Sequence, residues 1–63
     1  MEYRIRFFRE QLNLSQDALA KLAGVSRATI SGLESGAIKI TTTETLVKIA
    51  GALGKKVSDI FLA

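Results

Sequence analysis

Between Gln16 and Ser35 the chain reads QDALAKLAGVSRATISGLES, two short helical patterns joined by the turn Gly24-Val25-Ser26. No other stretch restricts the fold as tightly. Leu19, Ala23, Val25, Ile30 and Leu33 recur at helical spacing and would form one shared inner face for two crossing helices. Ala20 falls where those helices should pass closest, and a larger side chain there would drive them apart. Gly24 follows the first pattern at the position that takes a left-handed backbone, which a residue without a Cβ adopts freely. Ser26 precedes the second pattern as an N-cap, its hydroxyl placed to accept an otherwise unpaired backbone N–H. An ordinary αα-hairpin would share this spacing. So would a helix-turn-helix, in which the second helix is free to enter the major groove of DNA.

Composition limits what surrounds this motif. The 63 residues allow one domain, 1–63, with no length for a second. A domain of this size buries only about 60% of its unfolded surface, so its helical packing or a partner subunit must supply stability. The chain has no cysteine, which excludes disulfides and Cys-ligated zinc, and no histidine, the commonest metal ligand and general base. Six scattered Asp and Glu form no recognisable pair. An enzyme is therefore not expected, nor is any cofactor or metal. No stretch approaches the ~18 apolar residues of a membrane span, and an N-terminus carrying Glu2, Arg4, Arg6 and Arg9 is no signal peptide. A cytoplasmic location without a membrane partner is the expectation. Nine Lys and Arg give a formal charge of +3, a modest excess that suits nucleic acid without requiring it.

The periodicity predicts an all-α fold of five helices. The first spans Tyr3 to Asn13 with Ile5, Phe8 and Leu12 on one face; the second spans Gln16 to Ala23, capped by Ser15. The third runs from Arg27 to Glu34 and stops before Gly36. Ala37 to Thr41 reads as a loop. Thr41 and Glu44 have capping-box spacing, with Thr42 as the alternative cap. The fourth helix carries Leu46, Val47, Ile49, Ala50 and Leu53 and stops near Gly54. Ser58 is expected to cap a short last helix, with Val57 and Leu62 as a hydrophobic staple. Tyr3 and Phe7, one turn apart, are expected to pack on each other, and Phe61 with Leu62 to form a partly exposed dimer contact.

On the third helix, Ile30 and Leu33 define the inner face. At about 100° per residue, Ala28, Ser31, Gly32 and Ser35 lie opposite, flanked by Arg27 and Thr29. A solvated helix face usually carries Glu and Lys; this one is small, with one long basic residue near its start. The Arg27 guanidinium can donate two parallel hydrogen bonds to O6 and N7 of a guanine, or reach a phosphate instead. Ala28 offers a methyl to a thymine methyl. Gly32 has nothing to read with and costs about 1 kcal/mol relative to alanine, which a close approach to DNA or simple tolerance would explain. Ser31 or Ser35 then supplies what remains. Gln16, in the first turn of the second helix, is placed for phosphate, where free N–H groups and the helix dipole attract anions. Ser26, which can both cap and touch phosphate, and Thr29 complete the candidate phosphate contacts of the motif. Lys55 and Lys56 read as a solvated turn.

Leu14-Ser15-Gln16 before the motif, Ser26-Arg27-Ala28-Thr29-Ile30-Ser31 within it and Leu33-Glu34-Ser35-Gly36 after it resemble the phage repressor/Cro and XRE-type helix-turn-helix family. So does the run from Glu44 to Gly54, and the likeness extends from about Ile5 to Phe61. The resemblance implies a compact lambda-repressor-like domain that binds double-stranded DNA. It implies base contacts at the positions of Arg27, Ala28 and Gly32, and phosphate contacts at Gln16 and in the loop holding Lys39 and Thr42. Gly32 departs from members with a long polar residue there. An ion pair between Arg9 and Glu34 is implied as well, linking the first helix to the end of the third. The function implied is that of a bacterial or phage-encoded transcriptional regulator, a repressor on a palindromic operator. One recognition helix makes few base contacts, so a homodimer is the natural route to specificity. The alternatives are an antitoxin of the same fold with a protein partner, and the DNA-binding half of a longer repressor.

Overall fold

The computed structural model describes residues 2–62, with the backbone alone at positions 2 and 62. Five helices occur among the described residues: α1 (Ile5–Gln11), α2 (Gln16–Ala23), α3 (Arg27–Ser35), α4 (Thr43–Leu53) and α5 (Val57–Ile60). Local chemistry sets where most of them begin. Ser15 Oγ accepts from the Ala18 N–H at 3.0 Å, and Ser26 Oγ from the Thr29 N–H at 3.1 Å. Each takes up a donor that a helix cannot pair internally. Thr42, rather than Thr41, caps α4 by accepting from the Thr45 N–H at 3.2 Å. Gly24 ends α2 at φ +72°, and the Val25 N–H returns to the Ala20 carbonyl at 3.0 Å. That pairing closes a helix through a left-handed residue, and glycine adopts it without a Cβ clash.

Both ends of α1 fall short of the sequence pattern. Tyr3 belongs to a strand, β1 (Glu2–Tyr3), paired antiparallel with β2 (Phe61–Leu62) so that Tyr3 stands opposite Phe61. The Arg4 N–H continues the docking by donating to the Ile60 carbonyl at 2.8 Å. At the other end Asn13 takes the left-handed conformation at φ 56°, which asparagine tolerates better than most residues, and α1 ends at Gln11. Leu12 is thereby turned out and exposed rather than placed beneath Ile5 and Phe8. The expected Tyr3–Phe7 contact does not form. The Tyr3 ring meets Phe61 edge-on at 5.5 Å, while Phe7 packs edge-on against Phe8 at 5.2 Å and stays exposed.

The last helix starts two residues earlier than a Ser58 cap would allow. Lys56 is its N-cap, and the Lys56 N–H donates to Asp59 Oδ2 at 2.9 Å. Val57 is then the first helical residue, so it cannot act as the residue before a cap in a staple. The Leu62 side chain, in that staple and in the dimer contact alike, lies outside the described residues. On α4, Leu46, Ile49, Ala50 and Leu53 point inward at helical spacing, and Val47, one step round from Leu46, is exposed.

One fully buried side chain from each helix meets in the core: Ile5, Leu19, Ile30, Ile49 and Ile60. Each such side chain contributes about 1.5–3 kcal/mol by leaving water. Ala20 and Ala23 are buried on α2, where that helix packs against both α3 and α4. No helix among the described residues is long and apolar enough to cross a membrane.

Candidate nucleic-acid interface

Burial of Ile30 and Leu33 fixes which side of α3 faces out. Arg27, Ala28, Ser31 and Ser35 are exposed on it. Gly32 is half-buried, because the chain after α3 folds back across it. A Cβ there would lie 2.5 Å from Ile38 Cδ1 and 2.6 Å from Ile38 Cγ1, and the Ile38 N–H donates to the Gly32 carbonyl at 3.0 Å. Packing within the chain accounts for the mid-helix glycine without a close approach to DNA. Ser35 is also engaged: its hydroxyl donates to the Gly32 carbonyl at 3.3 Å and accepts from the Ala37 N–H at 3.3 Å. Ser31 is left as the exposed hydroxyl of this face. Thr29 is half-buried, its Oγ1 2.8 Å from Ser26 Oγ at the start of the helix.

Behind α3 sits a charged cluster that joins three helices. Arg9 Nε donates to Glu34 Oε2 at 2.7 Å and Arg9 Nη2 to Oε1 at 2.9 Å, a two-pronged pair whose geometry suits a guanidinium and a carboxylate. Arg9 Nη1 also donates to the Leu14 carbonyl at 2.8 Å, which pins the turn between α1 and α2. Arg6 Nε reaches Glu34 Oε1 at 3.3 Å. The Glu34 side chain is 0% exposed and that of Arg9 12%. Burial alone would push the Glu34 carboxyl up, but the hydrogen bonds from Arg9, Gln16 and Arg6 outweigh it and hold the carboxyl below its ordinary value. The fourth donor to this carboxylate comes from the first turn of α2. Gln16 Nε2 donates one of its two N–H bonds to Glu34 Oε1 at 3.2 Å, which ties the start of α2 to the end of α3.

A family model described as helix-turn-helix matches residues 5–60. The chain belongs to the XRE-type helix-turn-helix family. It is similar to an uncharacterized HTH-type transcriptional regulator of Methanocaldococcus jannaschii, 39% identical over 62 residues that cover 98% of this chain and 92% of that protein. Two uncharacterized HTH-type transcriptional regulators of Archaeoglobus fulgidus are 40% and 37% identical over 62 residues, covering 98% of this chain and 86% and 87% of their own lengths. In this helix-turn-helix, α2 and α3 are the two helices of the motif and Gly24-Val25-Ser26 is its turn.

The helix-turn-helix brings the starts of α2 and α3 together. Arg27 Nε lies 3.7 Å from Asp17 Oδ1, so Gln16, Asp17, Ser26 and Arg27 occupy one end of the motif. Lys39 and Thr42 lie beyond α3 and make no hydrogen bond or ion pair to that group among the described residues. Lys39 is exposed, and its backbone carbonyl accepts from the Tyr3 hydroxyl at 3.4 Å. The Thr42 hydroxyl is occupied in capping α4. Phe61 is half-buried against Tyr3 of its own chain, so only part of its ring is open to a second subunit. Two residues that shape this helix-turn-helix surface, Asp17 and Ile38, drew no attention in the sequence. The partner of Asp17 lies ten positions away on the next helix, and that of Ile38 six positions away across a helix end.

Proposed function

We propose that this protein is a sequence-specific, double-stranded-DNA-binding transcriptional regulator, a repressor that occupies a palindromic operator as a homodimer. The observation that carries the reading is the outer face of α3, with Arg27 exposed at its start and only the small residues Ala28, Ser31 and Ser35 exposed behind it. A helix with small outward residues can seat deeply in a major groove, and the long basic residue at its N-terminal end reaches the base edges. Arg27 pairs with a guanine, Ala28 contacts a thymine methyl and Ser31 donates or accepts at a third position. Gln16 and the Ser26–Thr29 hydroxyl pair, at the starts of α2 and α3, take phosphates where helix N–H groups already favour anions. Lys39 and Thr42 follow the backbone beyond. The names of the archaeal relatives support a role in transcription. Pairing of two copies is supported by a largely apolar hollow whose lining includes Tyr3, Leu46, Val57, Phe61 and Ile40, the last at 84% exposure.

Titrating the folded chain with labelled random-sequence duplexes at two salt concentrations tests the reading. Affinity should fall steeply with salt, because each neutralised phosphate releases counterions. A folded chain that binds no duplex at low salt would contradict it. Sedimentation with and without a palindromic duplex tests the dimer, which should tighten on DNA because the two half-sites raise the effective concentration. Monomers that fill a palindrome without cooperativity would remove the dimer from the account.

A further inference from the structure

Arg27 opens α3, so its positive charge sits where unpaired N–H groups make the helix end positive as well. The first turn of α3 contains no acidic residue to offset this. The negative group that faces Arg27 comes from the neighbouring helix: Asp17 Oδ1, in the first turn of α2, lies 3.7 Å from Arg27 Nε. Both side chains are open to water, at 65% and 66% exposure. An exposed pair of this kind adds little to folding, so stability does not explain its position. Departures from helix-end charge preference collect at functional sites, and this one lies on the candidate base-reading end of the motif.

We propose that Asp17 is a positioning residue that sets base specificity: its charge draws the Nε edge of the Arg27 guanidinium and so favours conformers that turn the two terminal amino groups towards one guanine. The proposal rests on the assignment of Arg27 to base readout. A guanidinium carries its donors in one plane, and a carboxylate on the Nε edge leaves the two terminal groups facing away from it. Those groups match O6 and N7 of guanine. An unbiased arginine loses much rotamer freedom on reaching a base, and a side chain whose conformers are already biased by a facing carboxylate loses less. Asp17 acts on the wrong sequences too. Its charge opposes nearby phosphates, so an Arg27 that finds no guanine gains little by settling on the backbone beside it. Discrimination is sharpened by an unfavourable element as well as a favourable one.

The test uses the full chain carrying Asp17→Asn, Asp17→Glu or Arg27→Ala, with thermal unfolding recorded first. Asp17→Ser replaces Asp17→Asn if the latter lowers the midpoint. Affinities are measured for the duplex selected by the wild type, for versions changed at the base pair whose preference Arg27→Ala relaxes, and for random duplex. Asp17→Asn should bind random duplex more tightly than wild type. It should lose about fivefold or more of the guanine preference, where a good bidentate contact gives roughly 5- to 150-fold. Asp17→Glu, which keeps the charge, should retain most of that preference. If Asp17→Asn moves every affinity by one factor and the guanine preference stands, the positioning role is overturned while Arg27 remains the reader. If Arg27→Ala changes no base preference at all, the base-reading assignment fails and this proposal fails with it.

Discussion

Ile38 lies across Gly32 so closely that a Cβ on residue 32 would stand 2.5 Å from Ile38 Cδ1. The same two residues share a backbone hydrogen bond, Ile38 N–H to the Gly32 carbonyl at 3.0 Å. The segment after α3 is docked onto the helix by this contact, and the adjoining Lys39 starts from a fixed place. A glycine inside a helix forfeits about 1 kcal/mol relative to alanine, so the fit to Ile38 is what the glycine provides.

Gly32→Ala should therefore destabilise the fold. The β-branched Ile38 has few rotamers to move into, and overpacking costs about 1–3 kcal/mol against the roughly 1 kcal/mol of helix propensity gained. In an Ile38→Ala background the clash is absent, and Gly32→Ala should instead stabilise. Denaturant unfolding of the four chains decides it. A Gly32→Ala chain about 1 kcal/mol more stable than wild type would show that Ile38 moves aside at no cost.

Glu34 should govern stability at low pH. Its carboxyl is held below the ordinary value of 4.5 in the folded chain, so ionised Glu34 stabilises the fold above that value. The contribution is lost as pH falls from 4.5 through the depressed folded value. The wild-type thermal midpoint should be level above about pH 5 and fall below it. Glu34→Gln leaves Arg9 buried beside a neutral group, which costs about 3–5 kcal/mol, a large share of the roughly 3–9 kcal/mol available to a domain of this size. The variant should be less stable at neutral pH and its midpoint less sensitive to acid. Parallel acid profiles for the two chains would show that other carboxylates carry the effect.

Tyr3 and Phe61 should be coupled in the folded monomer. Their rings meet edge-on at 5.5 Å across the β1–β2 pairing. Such pairs are worth about 0.5–1.5 kcal/mol beyond their burial. A double-mutant cycle with Tyr3→Ala and Phe61→Ala, measured at a concentration where the chain is monomeric, should return a coupling in that range. Additive losses would mean that the two ends of the chain dock independently of these rings.

The parts of this fold legible in the sequence are those decided by near neighbours. Ser15 and Ser26 cap the helices that follow them, and Gly24 turns the chain between α2 and α3, because each needs only residues within one helical turn. The inward stripe of α4 was readable from spacing, although Val47 shows that spacing alone does not mark the edge of a stripe. What escaped depends on partners far along the chain. Tyr3 continues a helical pattern, yet its backbone pairs with Phe61. Leu12 fits the face of α1, but Asn13 leaves the helix first. Gly32 fits against Ile38, beyond the helix end, and Arg27 faces Asp17 only because α2 and α3 cross.

Gln16 and Lys39 should strengthen DNA binding without selecting sequence. On the proposed assignment Gln16→Ala and Lys39→Ala each remove one phosphate contact, so affinity should drop by a similar factor on preferred and unrelated duplexes. Loss of the Lys39 charge should also reduce the salt slope by about 1. Binding measured at several salt concentrations on two unrelated duplexes checks both. A loss confined to the preferred duplex would make the residue concerned a base reader.

Selection of bound sequences from a random duplex pool, carried out in parallel with wild type and Arg27→Ala, tests the central claim most directly. Wild type should enrich a two-fold symmetric site containing a guanine in each half. Arg27→Ala should enrich the same site with that position relaxed, at a cost of about 1–3 kcal/mol on the wild-type sequence. Enrichment of identical sequences by both chains, or of none by wild type, would contradict the account of α3 as a base-reading helix.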